Sequence, residues 1–165
     1  MEDKIKISKI NFNTIFQYEA GHLYWKVKPC KKICIGDKAG TYHTAGYWHI
    51  TINKKKYLAH RLIFMMIHGY LPEYIDHINR IKHDNRIENL RAATSSENQR
   101  NRSAFYFSKS GIKNISWNKK AEAWRVSIRN AGKLLYLGQY KDIELAELIA
   151  FEARNKFHKE FAYHG

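Results

Sequence analysis

The chain has 165 residues, room for one large domain or two small ones, and its 29 Lys and Arg outnumber its 15 Asp and Glu, leaving a formal charge of +14. A cationic surplus of this size makes nucleic acid the first partner to weigh, because neutralised phosphates release condensed counterions; charge that only aids solubility is the plainer alternative. Two cysteines, Cys30 and Cys34, exclude a disulfide framework and cannot complete a structural zinc site alone, while two prolines and 44% hydrophobic residues argue against disorder.

No apolar run fit for a signal peptide follows Met1-Glu2-Asp3-Lys4, and the longest apolar stretch, Leu62 to Ile67, is too short to cross a bilayer. No basic amphipathic helix stands out either, so the expectation is an intracellular protein with no membrane partner. Aromatic residues sit beside basic ones, as in Tyr24-Trp25-Lys26 and Trp124-Arg125, a mixture that suits both base stacking and half-buried strands.

Residues 12–58 read as short strands and turns. Gly21-His22 separates Phe16-Gln17-Tyr18 from Leu23 to Val27 in a hairpin pattern, and Gly46 to Ile52 alternates before a turn at Asn53-Lys54-Lys55-Lys56 and a returning strand at Tyr57-Leu58-Ala59. From His60 the period lengthens: Leu62, Ile63, Met66 and Ile67 are spaced for one face of a short helix that Gly69 ends and Pro72 keeps closed. Tyr74 to Ile78 is a strand candidate, residues 79–88 a polar loop, and Asn89 to Thr94 a second strand. Ser95 or Ser96 then caps a polar helix with Glu97 and Asn98 in its first turn.

Residues 103–110 have no clear period and read as a linker. Beyond them lie three strand candidates, 112–117, 123–129 and 133–138, with turns at Asn118-Lys119-Lys120 and Asn130-Ala131-Gly132. A helix from about 143 to 157 carries an apolar stripe of Ala146, Ile149, Ala150, Ala153 and Phe157 that would pack on the sheet. The fold class is α+β, in two parts.

The segment richest in chemistry runs from Asp76-His77 through Asn85 to Arg91 and on to Ser96-Glu97-Asn98. Phosphodiester hydrolysis needs an activated water, a cation on the phosphate and relief of leaving-group charge. An Asp beside a His on one strand can divide that labour, because neighbouring strand residues point to opposite faces. Asp76 would hold a hard cation, and His77, whose kind has an ordinary pKa of about 6.5, would take a proton from water. Asn98 could add an amide oxygen, and oxygen ligands with positions left to water and phosphate suit one Mg²⁺ or Mn²⁺ per site rather than zinc. Asn89 could bond its own loop backbone and tie the two strands together.

Residues 59–102 resemble the HNH endonucleases of phage and intron-homing type. The resemblance rests on His60-Arg61, Asp76-His77-Ile78, Asn85-Arg86-Ile87-Glu88-Asn89-Leu90-Arg91 and Ser96-Glu97-Asn98. It implies a ββα-metal core with His77 as general base, Asp76 and Asn98 as metal ligands, and Asn89 completing the catalytic motif as its structural middle residue. Asn79-Arg80 departs from the family, whose members commonly carry an Asp-Gly turn there. Residues 1–58 are expected as a strand-rich segment packed with the core, and from about 16 to 58 they resemble the segment that often precedes it.

Within an expected domain of residues 111–165, residues 111–162 look like an AP2 domain, on Gly111-Ile112, Trp117, Trp124-Arg125-Val126, Ile128, Gly132-Lys133, Leu137-Gly138, Ala146 and Ala153-Arg154. That resemblance implies a three-stranded sheet entering the major groove. If the strands alternate, Arg125, Ser127 and Arg129 share the face turned away from the helix, and arginine reads guanine through two hydrogen bonds.

The residues expected to touch double-stranded DNA are Arg125, Arg129, Lys133, Trp117, Arg100, Arg102 and Lys55. Packing is the plainer role for Trp117, and a solvated turn the plainer one for Lys55. No small-molecule substrate is expected, a monomer is favoured, and the host cytoplasm is the location if a phage encodes the chain. The rival from another class is a DNA-binding regulator that keeps an HNH-like core without activity; an RNA-binding protein comes third, since no RNA-recognition motif is visible.

Overall fold

Period-two alternation in residues 16–58 builds the framework on which the later motif residues sit. The computed structural model describes residues 11–101 and 109–164, so most of the expected linker, and Arg102, lie outside the described residues. The chain divides into two compact units between Thr94 and Ser95.

In the first unit Phe16–Glu19 (β1) pairs antiparallel with His22–Trp25 (β2), setting Phe16 opposite Trp25, and both rings enter the core with Leu23. Gly21, in the turn between them, has φ +84°, and a Cβ there would lie 2.8 Å from the Arg86 amide nitrogen. Only glycine lets this turn rest against the later loop. Thr41–Tyr42 (β3), too short to show alternation, joins Trp48–Ile52 (β4) and Lys55–Leu58 (β5) in a sheet of order β3-β4-β5. The turn expected over Asn53 to Lys56 is tighter than that. Asn53 and Lys54 alone take left-handed backbone, as short hairpins require, and Lys55 and Lys56 are strand residues opposite Ile52 and Thr51.

The helix Ala59–His68 (α1) follows β5 directly and ends at Gly69, whose left-handed backbone lets its N–H reach the Met65 carbonyl. Its buried face is Ala59, His60, Leu62, Ile63 and Phe64, while Ile67, expected on that face, is 44% exposed. The contact is turned toward the start of the helix, where it meets β4 and β5. Tyr74–His77 (β6) then pairs antiparallel with Leu90–Ala93 (β7), placing Asp76 opposite Arg91 and His77 opposite Leu90.

The second unit opens with the helix Ser95–Arg100 (α2), which carries Asn98 and packs against a 3₁₀ turn at Lys159–Phe161. That packing accounts for a division upstream of residues 103–110. Ile115–Asn118 (β8), Ala123–Asn130 (β9) and Lys133–Tyr140 (β10) form an antiparallel sheet of order β10-β9-β8, covered by the helix Ile143–His158 (α3). Ile115 and Val126 cluster with the small residues Ala146 and Ala150, all buried, and small side chains let the helix sit close to the sheet. Asp142 caps α3 by accepting the Glu144 N–H at 2.8 Å.

Arg154, on the same helix, is fully buried, donating from Nη1 to the Lys113 carbonyl at 2.8 Å and from Nε to His164 Nδ1 at 3.3 Å. These bonds tie the helix to the segment before β8 and to His164, and burial lowers the guanidinium pKa. Antiparallel strands interleave with helices along the chain, a mixed organisation compatible with the α+β class.

Candidate active site

Asp76 and His77 close strand β6, and both are buried, at 4% and 6% exposure. Cross-strand neighbours share a face, so Arg91 on β7 reaches Asp76 Oδ2 with Nε at 2.8 Å and Nη2 at 2.7 Å. One carboxylate oxygen thus takes both guanidinium contacts.

His77 Nε2 lies 3.1 Å from Asn85 Oδ1. An amide oxygen only accepts, so Nε2 carries the hydrogen and Nδ1 the lone pair. The His60 ring meets His77 edge-on at 5.0 Å, and the Tyr47 ring lies 6.2 Å away, closing an aromatic wall around the imidazole. Burial lowers the His77 pKa, opposed by the Asn85 hydrogen bond and by the Asp76 and Asp84 carboxylates. The ring is therefore neutral at neutral pH and has a lone pair to offer.

The loop from Asn79 to Asn89 is tied by side-chain amides. Asn89 Nδ2 donates to Asn79 Oδ1 at 2.9 Å and to the Asp84 carbonyl at 2.7 Å, while its Oδ1 accepts the Asn79 N–H at 2.9 Å. These three bonds tie the Asn89 amide to the loop between Asn79 and Asp84. Asn79 Oδ1 also accepts the Ile81 N–H at 2.9 Å, and Arg80 follows with φ 65°, the left-handed backbone a glycine adopts at no cost. The departure from Asp-Gly keeps the turn at some conformational strain. Arg86 clamps Asp84 through Nε and Nη2, each at 2.8 Å, and holds that carboxyl well below the usual range. The N-terminal hairpin buttresses the loop, since Tyr18 Oη accepts the Ile87 N–H at 2.9 Å. The cleft between the Ala20–His22 turn and this loop is lined by Ile81 and residues 83–86, and neither Asp76 nor His77 opens into it.

His60 is 6% exposed, and burial lowers its pKa from 6.5 to about 3, helped by the charges of His77, Arg61 and His49. An unfolded His60 binds a proton near pH 6.5 that the folded one refuses until about pH 3. Stability from this residue is therefore complete above 6.5 and is lost as the pH falls toward 3, by on the order of 5 kcal/mol in all. Urea midpoints should drop through that interval, and His60→Gln, which cannot charge, should flatten the drop. An equally steep drop in the variant would assign the acid sensitivity elsewhere.

Asn98 and Arg100 lie on α2 and so belong to the second unit. In that unit Arg125 and Arg129 are exposed and Ser127 is half-buried between them, while Val126 and Ile128 are buried, the alternation expected of β9. Register places Leu134 opposite Arg129 and Tyr136 opposite Ser127, so two exposed apolar residues share the arginine face. The Arg125 guanidinium stands 5.4 Å from the Tyr136 ring. Lys133 pairs with Asn130, on the side of Ile128, and so departs from the arginine face. Trp117 pairs with Trp124 on that same helix side, half-buried, with its ring 4.8 Å from Trp124 and Lys109 Nζ 4.5 Å from its centre. Lys55 is exposed in β5.

Sequence reasoning gave no role to Asn85, Tyr47, Arg91 or Tyr136. Asn85 and Arg91 carried a signal in the motif; Tyr47 and Tyr136 carried none, because alternation alone does not say which ring or guanidinium each side chain meets.

Among the described residues no cluster of three or more His, Cys, Asp or Glu could cage a metal ion, and Cys30 and Cys34 are exposed free thiols. The buried carboxylate of Asp76, with its other positions left to water and phosphate, would suit a hard cation. Among the same residues no helix is long and apolar enough to cross a membrane.

Residues 57–100, from strand β5 to the end of α2, match the family model of the HNH endonucleases. The chain is 31% identical over 107 residues to Protein 3.8 of Escherichia phage T7, a match covering 62% of this chain and 86% of that protein. No solved structure matches it.

Proposed function

Because residues 57–100 match the HNH endonuclease family model and the chain belongs to one family with Protein 3.8 of Escherichia phage T7, we propose that it is a metal-dependent endonuclease of double-stranded DNA. The observation that carries this reading is the pair at the end of β6: a buried carboxylate, Asp76, next to a histidine kept neutral by burial and held by Asn85.

In this mechanism His77 removes a proton from water through Nδ1, and the oxygen that remains attacks phosphorus in line with the departing 3′ oxygen. Asp76, with the Asn98 amide oxygen as its expected second ligand, would hold Mg²⁺ or Mn²⁺. When bound, such a cation supplies charge stabilisation at the pentavalent phosphate and the leaving oxygen. Tyr47 and His60 would pack their rings around the imidazole, and Asn89 would hold the loop that carries Asn85.

Site preference we assign to the AP2-like second unit. Its outer sheet face offers Arg125 and Arg129 to phosphates or base edges, flanked by Tyr136. Lys55 and Arg100 serve as phosphate contacts, and a formal charge of +14 supplies the long-range attraction.

Supercoiled plasmid and phage genomic DNA, incubated with the purified protein in Mg²⁺ or in EDTA, test the reading. Nicking or linearisation that requires Mg²⁺ is expected. Salt-dependent binding with no cleavage of either DNA would replace the nuclease with a DNA-binding regulator built on the same core.

A further inference from the structure

Resting on that reading, we propose that Asn85 is a positioning residue for His77, its carboxamide oxygen holding the imidazole as the Nε2–H tautomer so that Nδ1 is the nitrogen that receives the proton from water. Asn85 is 1% exposed and among the largest fully buried side chains of the molecule. Buried amides persist where their polar atoms are satisfied, and its Oδ1 finds its partner in His77 Nε2 at 3.1 Å.

The segment presenting that oxygen is fixed from several directions. The Asn85 N–H donates to the His83 carbonyl at 3.1 Å, Asn89 clamps the Asp84 carbonyl, and Tyr18 takes the Ile87 N–H. A Cβ on Gly21 would come within 3.1 Å of the Asn85 carbonyl carbon, so the hairpin turn packs directly on this backbone. An acceptor held this firmly selects one tautomer and one ring orientation; without it, neutral imidazole exchanges its hydrogen between the two nitrogens.

The step balances without a further reactant. A water O–H bond breaks as the Nδ1–H bond forms, Nε2 keeps its own hydrogen on Asn85, a P–O bond forms to the new nucleophile, and the P–O3′ bond breaks with its electron pair on the 3′ oxygen.

Long-range ¹H–¹⁵N spectra of the whole metal-free protein, labelled at histidine nitrogen, read the tautomer directly, with His77 assigned by its disappearance in His77→Ala. Wild type should show a hydrogen-bearing Nε2 and a bare Nδ1. In Asn85→Ala the two nitrogens should move toward averaged positions while the other histidine signals stay in place. Its kcat should fall roughly 10- to 100-fold, the scale of losing an orienting partner, with KM much less changed. Asn85→Asp, which keeps an acceptor oxygen at the same position, should restore the wild-type tautomer. A wild-type spectrum with the hydrogen on Nδ1 overturns the proposal, as does a folded Asn85→Ala with tautomer and kcat unchanged. If Asn85→Ala does not fold, the wild-type and Asn85→Asp spectra still decide. The spectrum needs no cleavage, so a protein that cuts no DNA would sink the nuclease reading while leaving this test in force.

Discussion

Replacing His77 with alanine is expected to lower Mg²⁺-dependent cleavage by roughly 10²- to 10⁴-fold, the contribution of a positioned general base, while DNA binding persists. The variant loses the imidazole that follows Asp76 on β6, and water entering the gap is a far weaker base. The substitution also strips Asn85 Oδ1 of its donor, which costs on the order of 1–3 kcal/mol if no water replaces it, so a melting curve must accompany the rate.

A pH profile separates loss of the base from loss of the fold. His77 must be neutral to act, and burial places its folded-state pKa below the ordinary 6.5. The wild-type rate should hold nearly level as the pH falls to 6.5 and decline only below it, as the imidazole takes up its proton. The residual rate of His77→Ala should lack that decline. Cleavage above one tenth of wild type in a folded His77→Ala protein would remove His77 from the mechanism.

The parts of this arrangement legible in the sequence are those that local periodicity and turn chemistry determine. Asp76-His77 reads as strand because Gly69 and Pro72 end the preceding helix and Asn79 begins the next turn; β6 covers Tyr74–His77. The alternation of Arg125, Ser127 and Arg129 against Val126 and Ile128 likewise survives in the burial of β9. Where a role depends on the path of a loop, the sequence is silent. Asn85 meets His77 across a turn shaped by the left-handed backbone of Arg80 and by a hairpin far upstream. Lys133 illustrates a second limit, since alternation within one strand does not say which residue it opposes on the next. Arg154 illustrates a third: a charged residue on a helix reads as solvated, and only the packing of α3 against the segment before β8 reveals it as buried.

Asp76→Ala is expected to abolish metal-dependent cleavage, with a loss of at least about 10³-fold, or about 4 kcal/mol of transition-state stabilisation. The difficulty is that Asp76 also anchors a buried pair with Arg91, and breaking such a pair from either side destabilises by about 3 kcal/mol. Loss of activity alone therefore says little. Arg91→Ala supplies the control, because it breaks the same pair and leaves the carboxylate in place. Both variants should lower the urea midpoint by similar amounts, yet only Asp76→Ala should lose Mn²⁺ binding as read by electron paramagnetic resonance, and only Asp76→Ala should lose cleavage altogether. Asp76→Asn sharpens the contrast, since it keeps size and a hydrogen-bonding oxygen for Arg91 while removing the charge a hard cation needs. If Asp76→Asn binds Mn²⁺ and cuts DNA as well as wild type, the carboxylate belongs to Arg91 alone, and the cation must be sought on other oxygens.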